Sequence, residues 1–258
     1  MDSLIVGLAD MLRSDPFAEP PFPAIYSDIH KGLMVYESPD VSLAIGAINI
    51  AQLAAKKSAH RGATSIGFTG RMSVLKFVDA GDALLSFWEA PPIGAGFSAT
   101  SAGRCVRTGE RRLADGDVLV VDGRRQAYVI EQARANILLL QAEIARDQAP
   151  VGVEYDSGSL SYVGCNANDD GASRIQMMAT LLRKLDCSAA FPVMAALLDH
   201  PDFFVRWHVM RELIGIDARA ALPHLRTMAA LDPHDDVRAT AGATLAHLEQ
   251  VVGDRKAA

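Results

Sequence analysis

Histidines are the side chains from which metal chemistry would start. Two precede residue 165, His30 and His60, and five follow, His200, His208, His224, His234 and His247. With Glu89, the upstream pair has the composition of a two-His-one-carboxylate metal site. His30 lies ahead of the β-rich stretch, however. His60 follows an expected helix, in Lys56-Lys57-Ser58-Ala59-His60-Arg61. The reading is therefore of no metal and no cofactor. Polar residues that could line a barrel pocket are His60, Arg104, Gln126 and Tyr128. The three cysteines, Cys105, Cys165 and Cys187, are far apart and form no CxxC pair. That pattern fits reduced thiols and a cytoplasmic protein. The chain has no Gly-x-Ser-x-Gly elbow, phosphate loop or Gly-x-Gly-x-x-Gly motif, so no catalytic residue is assigned.

A second cluster could bind rather than react. Phe203, Phe204, Trp207 and Met210 crowd one helix start. They are either core, at a seam between two parts of the chain, or a partner-binding hot spot, where aromatic side chains and Met are favoured.

These residues sit on a repeat. Arg174, Arg206 and Arg238 are 32 residues apart, as are Met177, Val209 and Ala241, and Leu181, Leu213 and Leu245. A fixed period of this size marks stacked supersecondary units. Each unit reads as two helices. The second carries apolar residues at Val205, Val209 and Leu213, then Val237, Ala241 and Leu245, a spacing that shares one helical face. The first begins near Phe191-Pro192 and Leu222-Pro223, because proline suits the start of a helix. Between the two lie Asp199-His200-Pro201-Asp202 and Asp232-Pro233-His234-Asp235, both turn-forming.

The turn Asp (Asp199, Asp232), the Val-Arg pairs (Val205-Arg206, Val237-Arg238) and the first-helix Pro (Pro192, Pro223) resemble the HEAT repeat family over about Ala172 to Gln250. The resemblance implies a ladder of Asp–Arg pairs between units, which gives Arg174, Arg206, Arg238, Asp199 and Asp232 structural roles. It also implies a binding scaffold with a protein partner. A half copy, Ser173 to Leu185, has the Arg and the apolar face but no first helix, and the upstream part of the chain is expected to cover it. Enzymes of similar build hold iron with His-Glu pairs, and no such pair occurs here.

Upstream, short β-rich runs are separated by Gly, Asp and Pro: Val41–Ile48, Thr64–Phe68, Ser73–Val78, Ala83–Glu89, Gly94–Ala99, Arg104–Thr108, Val118–Asp122, Gln126–Ile130 and Ala135–Ile144. A short helix is expected over Asn49–Ser58, and a last hairpin around Ser157-Gly158-Ser159. Strands at this spacing predict a barrel or sandwich. The stretch Leu113-Ala114-Asp115-Gly116-Asp117, leading into Val118–Asp122 and the Gly123 turn, resembles the second half of a cupin jelly roll. Metal-binding cupins carry His-x-His and a later His. This chain has no His-x-His, and Gln126 and Tyr128 stand near the later position.

The fold class is therefore α+β in two domains: a cupin-like barrel over 1–165 and helical repeats over 166–258. Val163 to Gly171 reads as a polar linker. Leu4, Ile5, Leu8, Met11 and Leu12 read as a short amphipathic helix rather than a signal peptide. The net charge of −6 falls wholly before Ala172, because the remainder is charge-neutral. No basic patch favours nucleic acid, and no apolar run is long enough to span a membrane. The expected function is a non-enzymatic interaction scaffold or regulatory adaptor. The alternative is an atypical cupin-like small-molecule binder or metalloenzyme with its site in the barrel.

Overall fold

The computed structural model describes residues 7, 10–11, 13–15, 22–59, 65–94 and 96–257, without the side chains of 251–257. Of the expected N-terminal helix, residues 7, 10, 11, 13 and 14 are helical, and Leu4, Ile5, Leu8 and Leu12 lie outside the described residues. His60 also lies outside them.

Among the described residues twelve strands come first: β1 (Ala24–Tyr26), β2 (His30–Glu37), β3 (Val41–Ile48), β4 (Ser65–Phe68), β5 (Met72–Asp79), β6 (Leu84–Glu89), β7 (Val106–Arg112), β8 (Val118–Asp122), β9 (Gln126–Gln132), β10 (Ile137–Ile144), β11 (Val151–Asp156) and β12 (Tyr162–Ala167). Helix α1 (Ile50–Ala59) interrupts them after β3. One sheet has the order β1-β2-β3-β10-β5-β8, and two three-stranded sheets have the orders β12-β11-β4 and β7-β6-β9. The three-stranded sheets meet where β4 lies beside β9. All pairings are antiparallel, and together they enclose a jelly-roll barrel.

Strand alternation sorts the side chains into two clusters. Leu75, Phe77, Leu85, Ile137 and Leu139 pack inside the barrel, with Leu113. Ile66, Phe68, Val151, Val153 and Tyr155 point the other way and form an outer cluster with Ile93 and Phe97. The Gly-Asp cadence is a tight turn. Gly116 has φ +85, its N–H donates to Phe77 O, and the Asp117 carboxylate accepts from Ala114 N.

Two expectations need correction here. Of the strand expected at Gly94–Ala99, the described residues 94 and 96–99 are loop; Phe97 is buried in the outer cluster, so the apolar character reflects capping of a sheet face. The linker expected at Val163–Gly171 is instead mostly β12. Asn168 follows it, nearly buried, with its Nδ2 donating to Thr69 O (2.8 Å) and Ala149 O (3.1 Å). β12 is an edge strand with half its residues exposed, so it carries no apolar alternation to read.

The helices follow without slack. They are α2 (Asp170–Lys184), α3 (Phe191–Ala195), α4 (Phe203–Ile216), α5 (Ala218–Leu231) and α6 (Asp235–Ala257). Asp169 caps α2 by accepting from the N–H groups of Gly171 and Ala172, where a carboxylate also suits the helix dipole. Asp217 does the same for α5. Because that cap starts α5 early, Pro223 lies inside the helix and not at its beginning. Pro192 does sit in the first turn of α3. Among the described residues no helix is long and apolar enough to cross a membrane.

Candidate functional site

The barrel interior is filled at one end and open at the other. Along β10 the inward positions run Ile137, Leu139, Gln141 and Glu143, and along β5 they run Phe77, Leu75 and Ser73. The apolar members pack together. Ser73 and Gln141 face a cavity of about 300 Å³, lined also by Thr69, Val121, Gln126 and Tyr128, with Lys57 of α1 at its rim. A second cavity of about 400 Å³ shares His30 and Gln141 with it. Small residues on β4, Ser65 and Gly67, leave this half of the barrel unfilled.

The polar groups of this cup differ in how they are engaged. Gln126 is held: its Oε1 accepts from Asp122 N (3.2 Å) and its Nε2 donates to Glu89 (3.4 Å). Gln141 Nε2 donates to Glu143 (2.8 Å), which also pairs with Arg71 (3.4 Å). The Lys57 ammonium is tied to Ile130 O and sits 3.7 Å from Glu131. The hydroxyls of Tyr128 and of the nearly buried Ser73 have no hydrogen-bonding partner among the described residues. Burial, with the negative charge of Glu143 adding to it, pushes the Tyr128 phenol up to about 12. It therefore stays a neutral donor at physiological pH. The His30 imidazole is held below its ordinary value by burial and by the charge of Lys56.

The sequence-derived pocket residues divide accordingly. Gln126 and Tyr128 line the cup. Arg104 does not: it is exposed after the Gly103 turn and pairs its backbone with Ser161 on the outside of the barrel. Glu89 is exposed and reaches only Gln126. Among the described residues no three His, Cys, Asp or Glu side chains converge as metal ligands. Ser73 and Gln141 were missed. Their signal was a polar residue at an inward position of an otherwise apolar strand.

In the repeats, the Arg206 guanidinium grips Asp232 through two nearly buried hydrogen bonds of 2.8 and 2.7 Å. Its third nitrogen donates to His200 O and Pro201 O at 2.9 Å. Burial raises the Asp232 carboxyl, but the hydrogen bonds from Arg206 and His234 N and the nearby positive charges outweigh it, so the net shift is downward. Arg238 reaches back likewise to Asp232 O and pairs with Asp235. Arg174 is exposed and has no partner among the described residues, and Asp199 makes no pair either. The register explains this. Position 200, not 199, corresponds to Asp232, and there the chain has His200. Its Nδ1 accepts from Asp202 N (3.1 Å), as Asp232 accepts from His234 N (2.8 Å), but it offers no carboxylate. A second buried acid, Glu212, binds Arg183 and Thr180, and sequence reading did not pick it out.

The aromatic cluster turns inward, which corrects its assignment as a partner-binding hot spot. Met210 is fully buried. Phe203 and Phe204 pack on the outer barrel cluster, and Trp207 packs with Met210 between α4 and the helices that follow. Phe203 stacks on His234 at 3.8 Å; the His234 Nε2 donates to Phe97 O at 2.9 Å, and Asp236 accepts from Ala99 N at 2.6 Å. These contacts clamp the repeats onto the 96–102 loop.

Residues 167–246 match the family model for HEAT repeats. Solved structures resembling the β part include an RmlC-like cupin from Shewanella frigidimarina (9% identity, 48% of this chain, 84% of that one, TM-score 0.28). They also include a cupin domain from Bordetella pertussis (12%, 49% and 98%, 0.26) and ectoine synthase from P. lautus (11%, 47% and 67%, 0.28). A comparison with curated protein sequences returned no match.

Proposed function

We propose that this chain is a non-enzymatic interaction scaffold: the HEAT-like repeats carry a protein partner and the barrel is their platform. The observation that carries this reading is the leading helix α2. Met177, Met178 and Leu181 on it, and Leu185 at its C-cap, are all exposed, whereas end units of a repeat stack are ordinarily closed by a polar face. An apolar stripe of this kind marks an interaction surface. The test is site-specific photo-crosslinking of the full chain, with the reactive amino acid placed at Leu185, Val193, Leu231 or, on the barrel, Val118, all of them exposed. Crosslinks to another protein from the repeat positions are the expected result. Crosslinks confined to Val118 would remove the scaffold role from the repeats.

The cup favours a second reading, a small-molecule site that uses no metal. Its volume lies at the lower end of the roughly 300–1,000 Å³ of ligand pockets, and the unpaired hydroxyls of Tyr128 and Ser73 line it. Unpaired hydroxyls on a cavity wall favour a ligand rich in hydrogen-bonding groups and without net charge. Small polyols and sugars should therefore raise the melting temperature of the wild-type chain more than carboxylates do. Tyr128→Phe should erase the difference. Equal shifts with both proteins would exclude the cup.

A further inference from the structure

The cup does not end at Gln141. Directly opposite residues of paired strands share one face of a sheet, so the inward row of β10 fixes the inward rows of its neighbours. Opposite Leu139, Gln141 and Glu143 stand Gly46, Ala44 and Ser42 of β3. Opposite Gly46 and Ala44 stand Gly32 and Met34 of β2, and opposite Gly32 stands Ile25 of β1. These residues line the second cavity, of about 400 Å³. On the other side of β10, Gln141 and Glu143 face Leu75 and Ser73 of β5, where the first cavity lies. His30 and Gln141 belong to the walls of both, so the two cavities join there.

The two arms of this trough differ in chemistry. Hydroxyls and amides wall the first, from Tyr128, Ser73, Thr69 and Gln126. Ile25, Met34, Ala44 and Leu139 give the second an apolar wall. Its depth comes from small residues. Gly32 is required by the close approach of β3, because a Cβ there would sit 2.4 Å from Ile45 O. At Gly46 a Cβ would meet nothing closer than 3.5 Å, so the backbone does not demand the space left there. Charge is accounted for. The ionisable side chains of this arm are His30, Lys31 and Glu143. Glu143 is bonded to Gln141 and paired with Arg71. Lys31 alternates to the opposite face of β2 from His30 and Gly32.

We infer that the trough binds one amphiphile, with a neutral, hydroxyl-rich head at Tyr128 and Ser73 and a short alkyl tail lying across Ala44 and Gly46 toward Met34 and Ile25. This rests on the small-molecule reading of the cup and names the class of its ligand. The arm crosses from β10 over β3 to β2, at about 4.8 Å per strand, which gives a hexyl chain room to lie extended.

The test titrates the full chain with methyl and hexyl β-glucoside by calorimetry, below the concentration at which the hexyl compound forms micelles. The hexyl glucoside should bind at least about tenfold more tightly, as expected when roughly half of its five extra methylenes leave water. It should also show the more negative heat-capacity change of apolar burial. Ala44→Leu fills the arm and should lower the hexyl affinity about tenfold, erasing the margin, with cooperative thermal unfolding retained. Tyr128→Phe should weaken both glucosides by a similar factor, about threefold to tenfold. Equal affinities for the two, or a hexyl margin untouched by Ala44→Leu, would overturn the inference and leave the cup as a sugar site. Binding of neither, or indifference of both to Tyr128→Phe, would overturn the reading of the cup beneath it. Two further results would give the arm to another occupant and overturn the inference. A hexyl margin that emerges only when Leu4 and Leu8 are replaced by Ser would assign it to the chain's own N-terminal segment. Self-association abolished by Met34→Glu would assign it to a second copy.

Discussion

Arg206 and Arg174 are the same residue of the same repeat in two different circumstances. One is nearly buried and doubly bonded to Asp232; the other projects into solvent. The arginines do not differ in sequence context so much as in what stands 26 residues further on: Asp232 for the first and His200 for the second. A repeated residue therefore does not guarantee a repeated interaction. The ladder has a rung only where both of its ends are present, and here the rung lies between the second and third units.

The largest effect expected from breaking this contrast comes from Asp232→Ala. It leaves the Arg206 charge buried without its carboxylate, which costs about 3–5 kcal/mol by the usual measure of half-removed buried pairs. Urea unfolding of the two proteins checks it, and a loss below about 1 kcal/mol, the range of surface pairs, would mean the rung is not structural. The same pair makes stability depend on pH. The Asp232 carboxyl lies below its ordinary value of 3.8 in the folded chain. Its contribution is therefore complete above that ordinary value and is lost as pH falls through the lower folded one. The variant should lack this component of acid unfolding. The smallest effect sharpens the contrast from the other side. His200→Asp restores a carboxylate opposite Arg174 while retaining an acceptor for Asp202 N. Because Arg174 is exposed, the gain should be at most about 1 kcal/mol. A double-mutant cycle with Arg174→Ala isolates it; zero coupling would mean that positions 174 and 200 do not face one another as 206 and 232 do.

Much of the architecture was legible because it is periodic. β3 and β8 occupy the spans expected from their apolar runs, Val41–Ile48 and Val118–Asp122. The 32-residue spacing found the second helices. What could not be read lacked a period or depended on distant partners. β2 mixes His30, Lys31 and Gly32 with apolar residues and shows no alternation. β12 is polar because its edge faces solvent. Phe203, Phe204 and Met210 carry the composition of an interface, and only the fold reveals that the interface is internal. In the cup, Gln126 and Tyr128 were found by their place after a turn. Ser73 and Gln141 became visible only once strand pairing fixed which side faces in. The open stripe on α2 was visible as apolar spacing, but its exposure depends on what packs over it, which no local pattern reports.

Only Asn168 and Asp169 separate β12 from α2. Asn168 is sewn to Thr69 and Ala149 by its side chain and to Arg71 by its carbonyl. Arg71 stands just ahead of β5, two residues before Ser73 in the cup. The joint is thus a weld and not a hinge. A pull on the far end of the helical stack would arrive at the mouth of the barrel as tension, not as slack being taken up.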